Sequence, residues 1–134
     1  EKGNMVLAGT LVYMSPQMLD GEMPDAADDI YAIGATLYEL LTGQTPFALD
    51  QSPGHLTEQI KEKTPPFPSQ VLAARQSPGS IPDHVSALIM SCLSKDPETR
   101  PANADTITAP FDYPHPASSR FRNEAGKGGR GLGE

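Results

Sequence analysis

From Ala26 to Thr42 the chain is apolar around nearly the whole circumference of a helix. Ile30, Tyr31, Ile33, Leu37, Tyr38, Leu40 and Leu41 dominate, and only Asp28, Asp29 and Glu39 are charged. A helix apolar on every side is normally buried, so this segment predicts a central helix with a larger body around it. Asp25 can cap its start, with Asp28 in the favourable first turn, and Gly43 followed by Pro46 supplies a stop. Asp83–Ser94 carries a second helical pattern in Val85, Leu88, Ile89, Cys92 and Leu93, with Ser80 as its start signal. A shorter helix is predicted over Leu56–Lys63, with Leu56 and Ile60 on one face. Pro101 fits the first position of a last helix, Pro101–Ile107.

The remaining pattern is irregular. Residues 1–24 contain Gly3, Gly9, Pro16, Gly21 and Pro24 and predict loop, with a helical turn at Pro16–Leu19 and a weak strand signal at Leu11–Tyr13. Thr64–Pro82 is Pro- and Ser-rich and reads as a long loop. The fold class is therefore mainly α. Past Pro110 the runs Asp112-Tyr113-Pro114-His115-Pro116 and Gly126-Lys127-Gly128-Gly129 read as disordered tail or linker. The expected division is one domain over 1–108 and a tail over 109–134.

Composition narrows the functional classes. Hydrophobic residues make up 37% of the 134, with 14 prolines and 12 glycines, so the core should be thin. A formal charge of −7 argues against a nucleic-acid partner, which needs clustered Lys and Arg. Six basic and 14 acidic residues precede residue 109, whereas four basic and three acidic follow, which supports a boundary near Pro110. Cys92 is the only cysteine, which excludes an internal disulfide and a thiolate metal cluster, and the three histidines lack ligand spacing. No apolar run approaches the ~20 residues of a membrane span and no signal peptide opens the chain. These features suggest a cytoplasmic protein, and Glu1-Lys2-Gly3-Asn4 resembles the middle of a loop in a longer one.

Three segments then occur in one order. Gly9-Thr10-Leu11-Val12-Tyr13-Met14-Ser15-Pro16-Gln17 resembles the end of a protein kinase activation segment, which closes on Ala-Pro-Glu. Asp28-Asp29-Ile30-Tyr31-Ala32-Ile33-Gly34, continuing to Gly43 and Pro46-Phe47, is similar to the family's buried central helix. Cys92 to Pro101 resembles the Arg-containing turn near the end of that domain. Together they identify residues 8–107 as similar to the C-terminal lobe of a serine/threonine protein kinase, whose whole domain is two-lobed and α+β.

The resemblance assigns roles. Gly9, Thr10, Leu11 and Tyr13 would form the shelf that receives the substrate, and Thr10 would support the catalytic loop and position the acceptor hydroxyl. Outside that context Thr10 is an ordinary loop threonine. Asp29 would anchor the catalytic loop to the central helix, with Asp28 as the simpler capping acid and Gly34 a further structural position. Arg100 would pair with the Glu that closes the segment. Here that position is Gln17, so either another acid such as Glu22 substitutes or an amide suffices. Ser15 and Tyr31 also depart from the family's Ala and Trp. Glu1 to Gly9 offers no Ser, Thr or Tyr for activating phosphorylation. Cys92 reads as a buried structural thiol, and the five methionines as gap fillers.

Phosphoryl transfer needs a Gly-rich loop, a strand Lys, a catalytic-loop Asp and Asn, and a metal-binding Asp. The chain contains no Gly-x-Gly-x-x-Gly followed by Val-Ala-x-Lys, no His-Arg-Asp and no Asp-Phe-Gly. The resemblance implies ATP and Mg2+ for the parent domain and none for this fragment, which alone should be inactive. Its partners would be the preceding part of the kinase domain and a protein substrate or regulator at Leu56–Pro82. The alternative is a non-catalytic interaction module derived from the same lobe. The helix around Ile33 and Leu37, whose other face expects the catalytic loop, favours the fragment.

Overall fold

The structure, a computed structural model, describes residues 2–50 and 52–108. All its regular elements among those residues are helical. They are α1 (Lys2–Leu11), α2 (Pro16–Leu19), α3 (Ala26–Thr42), α4 (Pro53–Glu62), α5 (Pro68–Ala74), α6 (Asp83–Cys92), a 3-10 turn (Pro97–Thr99) and α7 (Ala104–Thr108). The tail assigned to 109–134 lies outside the described residues.

α3 runs over the predicted bounds. The Asp28 carboxylate reaches back to the backbone N–H of Asp25 at 2.7 Å, and Gly43, at φ 77°, ends the helix with its N–H on the Glu39 carbonyl. A left-handed residue at this position favours glycine. Burial is one-sided, unlike the expectation from an all-round apolar pattern. Tyr31, Ala35, Tyr38 and Thr42 turn inward, while Leu40 is 74% exposed and Asp29 and Thr36 also face outward.

α6 packs across α3, with α5 beside both. α3 and α6 come close at Gly34, where a side-chain Cβ would stand 2.5 Å from the Cβ of Cys92. The main core gathers Tyr31, Tyr38, Phe47, Leu56, Ile60 and Ile89, and a satellite holds Ile30, Cys92 and Ile107. Burial pushes the Cys92 thiol up to about 11, so it stays protonated and inert. Of the methionines, Met23 is 88% exposed and fills no gap.

Several elements differ from the sequence expectation. Lys2–Leu11 is a helix instead of a loop ending in a strand, because Ala8 and Val12, four residues apart, are fully buried, and Ala8 joins the core that holds Leu56 and Ile60 of α4. Tertiary burial outweighs the ~1 kcal/mol that Gly9 costs a helix. The expected Thr64–Pro82 loop contains α5. Pro68 sits at its first position, Val71 is buried, and the Ser69 N–H bonds Ser86 Oγ of α6 at 3.1 Å. α4 begins at Pro53, three residues early, with Ser52 Oγ accepting from the His55 N–H. Pro82, not Ser80, precedes the first residue of α6. α7 starts at Ala104, not Pro101, because Asn103 Oδ1 caps it through the Thr106 N–H at 3.0 Å.

Lys95, in the turn after α6, joins distant elements. Its ammonium donates to the Ile60 carbonyl of α4 and lies 5.0 Å from the centre of the Phe47 ring. Burial, helped by the nearby Arg100 charge, pulls Lys95 down to about 8 from 10.5. Between those values the unfolded chain holds a proton that the folded chain has lost, so stability should rise with pH above about 8. Cys92, raised in the fold, opposes that rise from pH 9, and Tyr31 and Tyr38, both pushed to about 12 by burial, oppose it above 10. Urea midpoints are therefore expected to increase from pH 8 to 9 and to lose that increase in Lys95→Met. Equal slopes in the two proteins would contradict this placement of Lys95.

Candidate functional site

The end of the Gly9–Gln17 segment, the start of α3 and the turn after α6 meet at one buried guanidinium. Arg100 is 5% exposed. Its Nε donates to the Ser94 carbonyl at 2.9 Å, Nη1 to the Ala27 carbonyl at 3.0 Å, and Nη2 to Gln17 Oε1 at 2.7 Å. Asp28 Oδ1 lies 3.9 Å from Nη1, and the Tyr31 ring lies 5.2 Å away. Burial lowers the Arg100 pKa, and the Asp28 carboxylate opposes that shift.

Gln17 fits because an amide does two jobs here. Its oxygen accepts from Arg100 while its Nε2 donates to the Lys95 carbonyl at 2.8 Å. A carboxylate could not donate. The compensating negative charge comes from Asp28, whereas Glu22 is exposed. Ser15 adds a second link, since its hydroxyl donates to Asp28 Oδ1 at 2.5 Å and accepts from the Met18 N–H at the start of α2. The Ser found where the family has Ala thus bonds the acid that faces Arg100. Among the described residues, every buried side-chain nitrogen and oxygen has a partner.

Gly9, Thr10, Leu11 and Tyr13, expected to form the acceptor shelf, occupy the end of α1 and the turn after it. Gly9 and Leu11 are half-buried and Thr10 is exposed within the last turn of α1. Tyr13 follows, its hydroxyl donating to Glu39 of α3. That hydrogen bond, with burial and the Glu39 charge, raises the Tyr13 pKa. Gly34 lies away from this surface, at the α3–α6 crossing.

Asp29, expected as the anchor, is exposed at the start of α3. Asp28, beside it, turns inward and makes separate contacts, to Ser15 and Arg100. Sequence reasoning kept Asp28 only as a capping acid and gave Glu39 no role. The signal for Asp28 was its place one turn inside a buried helix, but two adjacent acids offer no sequence clue to which one turns inward.

Among the described residues, no three His, Cys, Asp or Glu side chains converge on a point where one cation could sit. Among the described residues, no helix is long and apolar enough to cross a membrane.

The helical order, with a buried arginine that ties α2 to the head of the central helix α3, agrees with a protein kinase C-terminal lobe. The sequence pattern of the family described as "Protein kinase domain" matches residues 1–111, and the chain belongs to that family. Two curated relatives are named as serine/threonine kinases. The chain is 36% identical over 112 residues to Serine/threonine-protein kinase A of Synechocystis sp., covering 84% of this chain and 20% of that protein. It is 39% identical over 103 residues to Serine/threonine-protein kinase pkn3 of Myxococcus xanthus, covering 77% and 18%. The chain thus spans a fifth or less of these relatives. In structure it is similar to the Rad53 kinase domain and SCD2, with TM-score 0.59, 24% identity and coverage of 79% of this chain and 36% of that one, which supports the fold.

Proposed function

We propose that the chain is the acceptor-side part of a serine/threonine kinase domain whose parent transfers the ATP γ-phosphate to protein Ser or Thr, and that it is inactive by itself. The observation that carries this reading is the Arg100–Gln17–Asp28–Ser15 junction, which ties the Ser15–Gln17 segment that follows Gly9–Tyr13 to α3. On this reading Gly9, Thr10, Leu11 and Tyr13 receive the substrate segment, and Thr10 positions the acceptor hydroxyl. Asp29 holds the catalytic loop, supplied by chain upstream of Glu1. Two features support that last role: its carboxylate is exposed at the α3 N-terminus, and Leu40 leaves apolar surface uncovered farther along the helix. ATP and Mg2+ belong to the parent domain, in a cytoplasmic setting.

The alternative, a non-catalytic interaction module, places its partner surface at Leu56–Pro82. Most apolar residues there are turned inward, including Leu56, Ile60, Val71 and Ile81, while Phe67 is 42% exposed. Calorimetric titration with magnesium-ATP separates the two readings. The 134-residue chain is expected to give no binding heat, and the same chain extended upstream in frame is expected to bind. Binding by the 134 residues alone would overturn the proposed division, and no binding by the extended protein would favour the interaction module.

A further inference from the structure

We propose that Lys95 is a carbon dioxide site, its Nζ adding reversibly to CO2 and holding it as a carbamate. The side chain is half-buried in the turn after α6. Among the described residues its nitrogen makes one hydrogen bond, donated to the Ile60 carbonyl of α4, and the Phe47 ring centre lies 5.0 Å away. Among those residues no carboxylate comes within ion-pair distance of it. An ammonium has three protons to place, and a charge withdrawn from water without an ionic partner is costly. The surroundings therefore favour the free amine, which is a nucleophile.

Arg100 adds to the cost of a cation at this nitrogen. Burial first, and then the Arg100 charge, bring Lys95 down to about 8, so near that pH about half of it is unprotonated. Gln17 contributes through its neutrality. Because an amide stands where the family has an acid, Arg100 faces a carboxylate only in Asp28, at 3.9 Å among the described residues. Its charge is thus incompletely offset, and a field that disfavours an ammonium favours an anion in the same place. The other charged groups around Lys95 are engaged or turned outward. Lys61 of α4 pairs with Asp20, and Asp96 is exposed with its Oδ1 accepting from the Glu98 N–H.

The step balances without a further reactant. The amine lone pair forms an N–C bond to the CO2 carbon, one C=O π pair moves onto oxygen, and the nitrogen releases one proton to water. The carbamate keeps one N–H, the number that the Ile60 carbonyl accepts. Carbon dioxide suits this site better than an acyl phosphate or a thioester. It is uncharged, so the net charge of −7 does not repel it, and with three atoms and no leaving group it reaches a half-buried nitrogen. The Lys95 carbonyl accepts from Gln17 Nε2 at 2.8 Å, so carbamate formation reverses a charge beside the Arg100 junction. None of this depends on phosphoryl transfer, and a negative result leaves the kinase reading untouched.

The test equilibrates the 134-residue chain with 13C-bicarbonate near pH 8, traps carbamates as ethyl esters with triethyloxonium, and maps the label by peptide mass spectrometry. The α-amine of Glu1 is the positive control, since α-amino groups ordinarily titrate at about 7.7–8.0, and Lys61 and Lys63 are the comparison lysines. Label is expected at Glu1 and at Lys95, with Lys95 at least about tenfold above Lys61 and Lys63. In guanidinium chloride the Lys95 label should fall to the level of those two while the Glu1 label remains. Gln17→Glu, which gives Arg100 a second carboxylate, should lower the Lys95 label severalfold. Three results overturn the proposal: label at Glu1 with Lys95 no higher than Lys61 and Lys63; Lys95 label that survives guanidinium chloride, which makes it a property of the local sequence; or Lys95 label unchanged in Gln17→Glu, which removes Arg100 as its cause.

Discussion

Replacing Arg100 with alanine is expected to cost the fold about 3–5 kcal/mol, the range for removing one member of a buried charged network. The loss has several sources. Asp28 keeps Ser15 but loses its nearby cation, the Ser94 and Ala27 carbonyls lose charged donors, and Gln17 Oε1 is left with no partner. Against a typical domain stability of about 5–15 kcal/mol, such a change removes a large share. Arg100→Lys should rescue little, because one ammonium cannot reproduce a planar fork that bonds Ser94, Ala27 and Gln17 in three directions. Urea denaturation followed by circular dichroism reads the effect. A midpoint within error of the parent chain would show that the network contributes no net stability.

Gly34→Ala is expected to destabilise by about 2 kcal/mol despite alanine's better helix propensity. The new Cβ would lie 2.5 Å from Cys92 Cβ, with Leu93 Cδ2 and Cγ at 3.4 Å. Both Cβ atoms are fixed to helical backbones, so the clash cannot be relieved by rotating a side chain. Either α3 and α6 must move apart or the crossing must shift. Overpacking of this kind costs about 1–3 kcal/mol and occasionally more, and the propensity gain of about 1 kcal/mol offsets part of it. Cys92→Gly removes the opposing Cβ. The double variant should therefore be more stable than the sum of the two single effects, a coupling measurable in a double-mutant cycle. Strict additivity would mean that the two helices are not in close contact at this point.

These two residues also show what the sequence made legible. Arg100 and Gln17 were readable as a pair because the segments around them are ordered and distinctive. The reason Gln17 is accommodated was not, since the Lys95 carbonyl that receives its amide is backbone brought in by tertiary structure. α3 was legible to the residue because its apolar run, first-turn acids and Gly43 all agree. α1 was hidden by Gly3 and Gly9, and only the burial of Ala8 and Val12, Ala8 in the core shared with α4, makes a helix there intelligible. α5 was hidden by its prolines. Pro68 opens a helix, yet in sequence it looks the same as the prolines at 65, 66 and 78, which lie outside one. The choice between Asp28 and Asp29 depends on a rotation of about 100° per residue about the α3 axis, which composition does not encode.

In the proposed function, this chain supplies the acceptor side of a serine/threonine kinase while the phosphate chemistry comes from residues it does not contain. Phospho-amino-acid analysis tests it most directly, using the in-frame upstream-extended protein, incubated with magnesium and γ-labelled ATP on a mixed protein substrate. Label in phosphoserine and phosphothreonine is expected, with none when the 134-residue chain replaces the extended protein. Label in phosphotyrosine, or transfer by the 134 residues alone, would contradict the account.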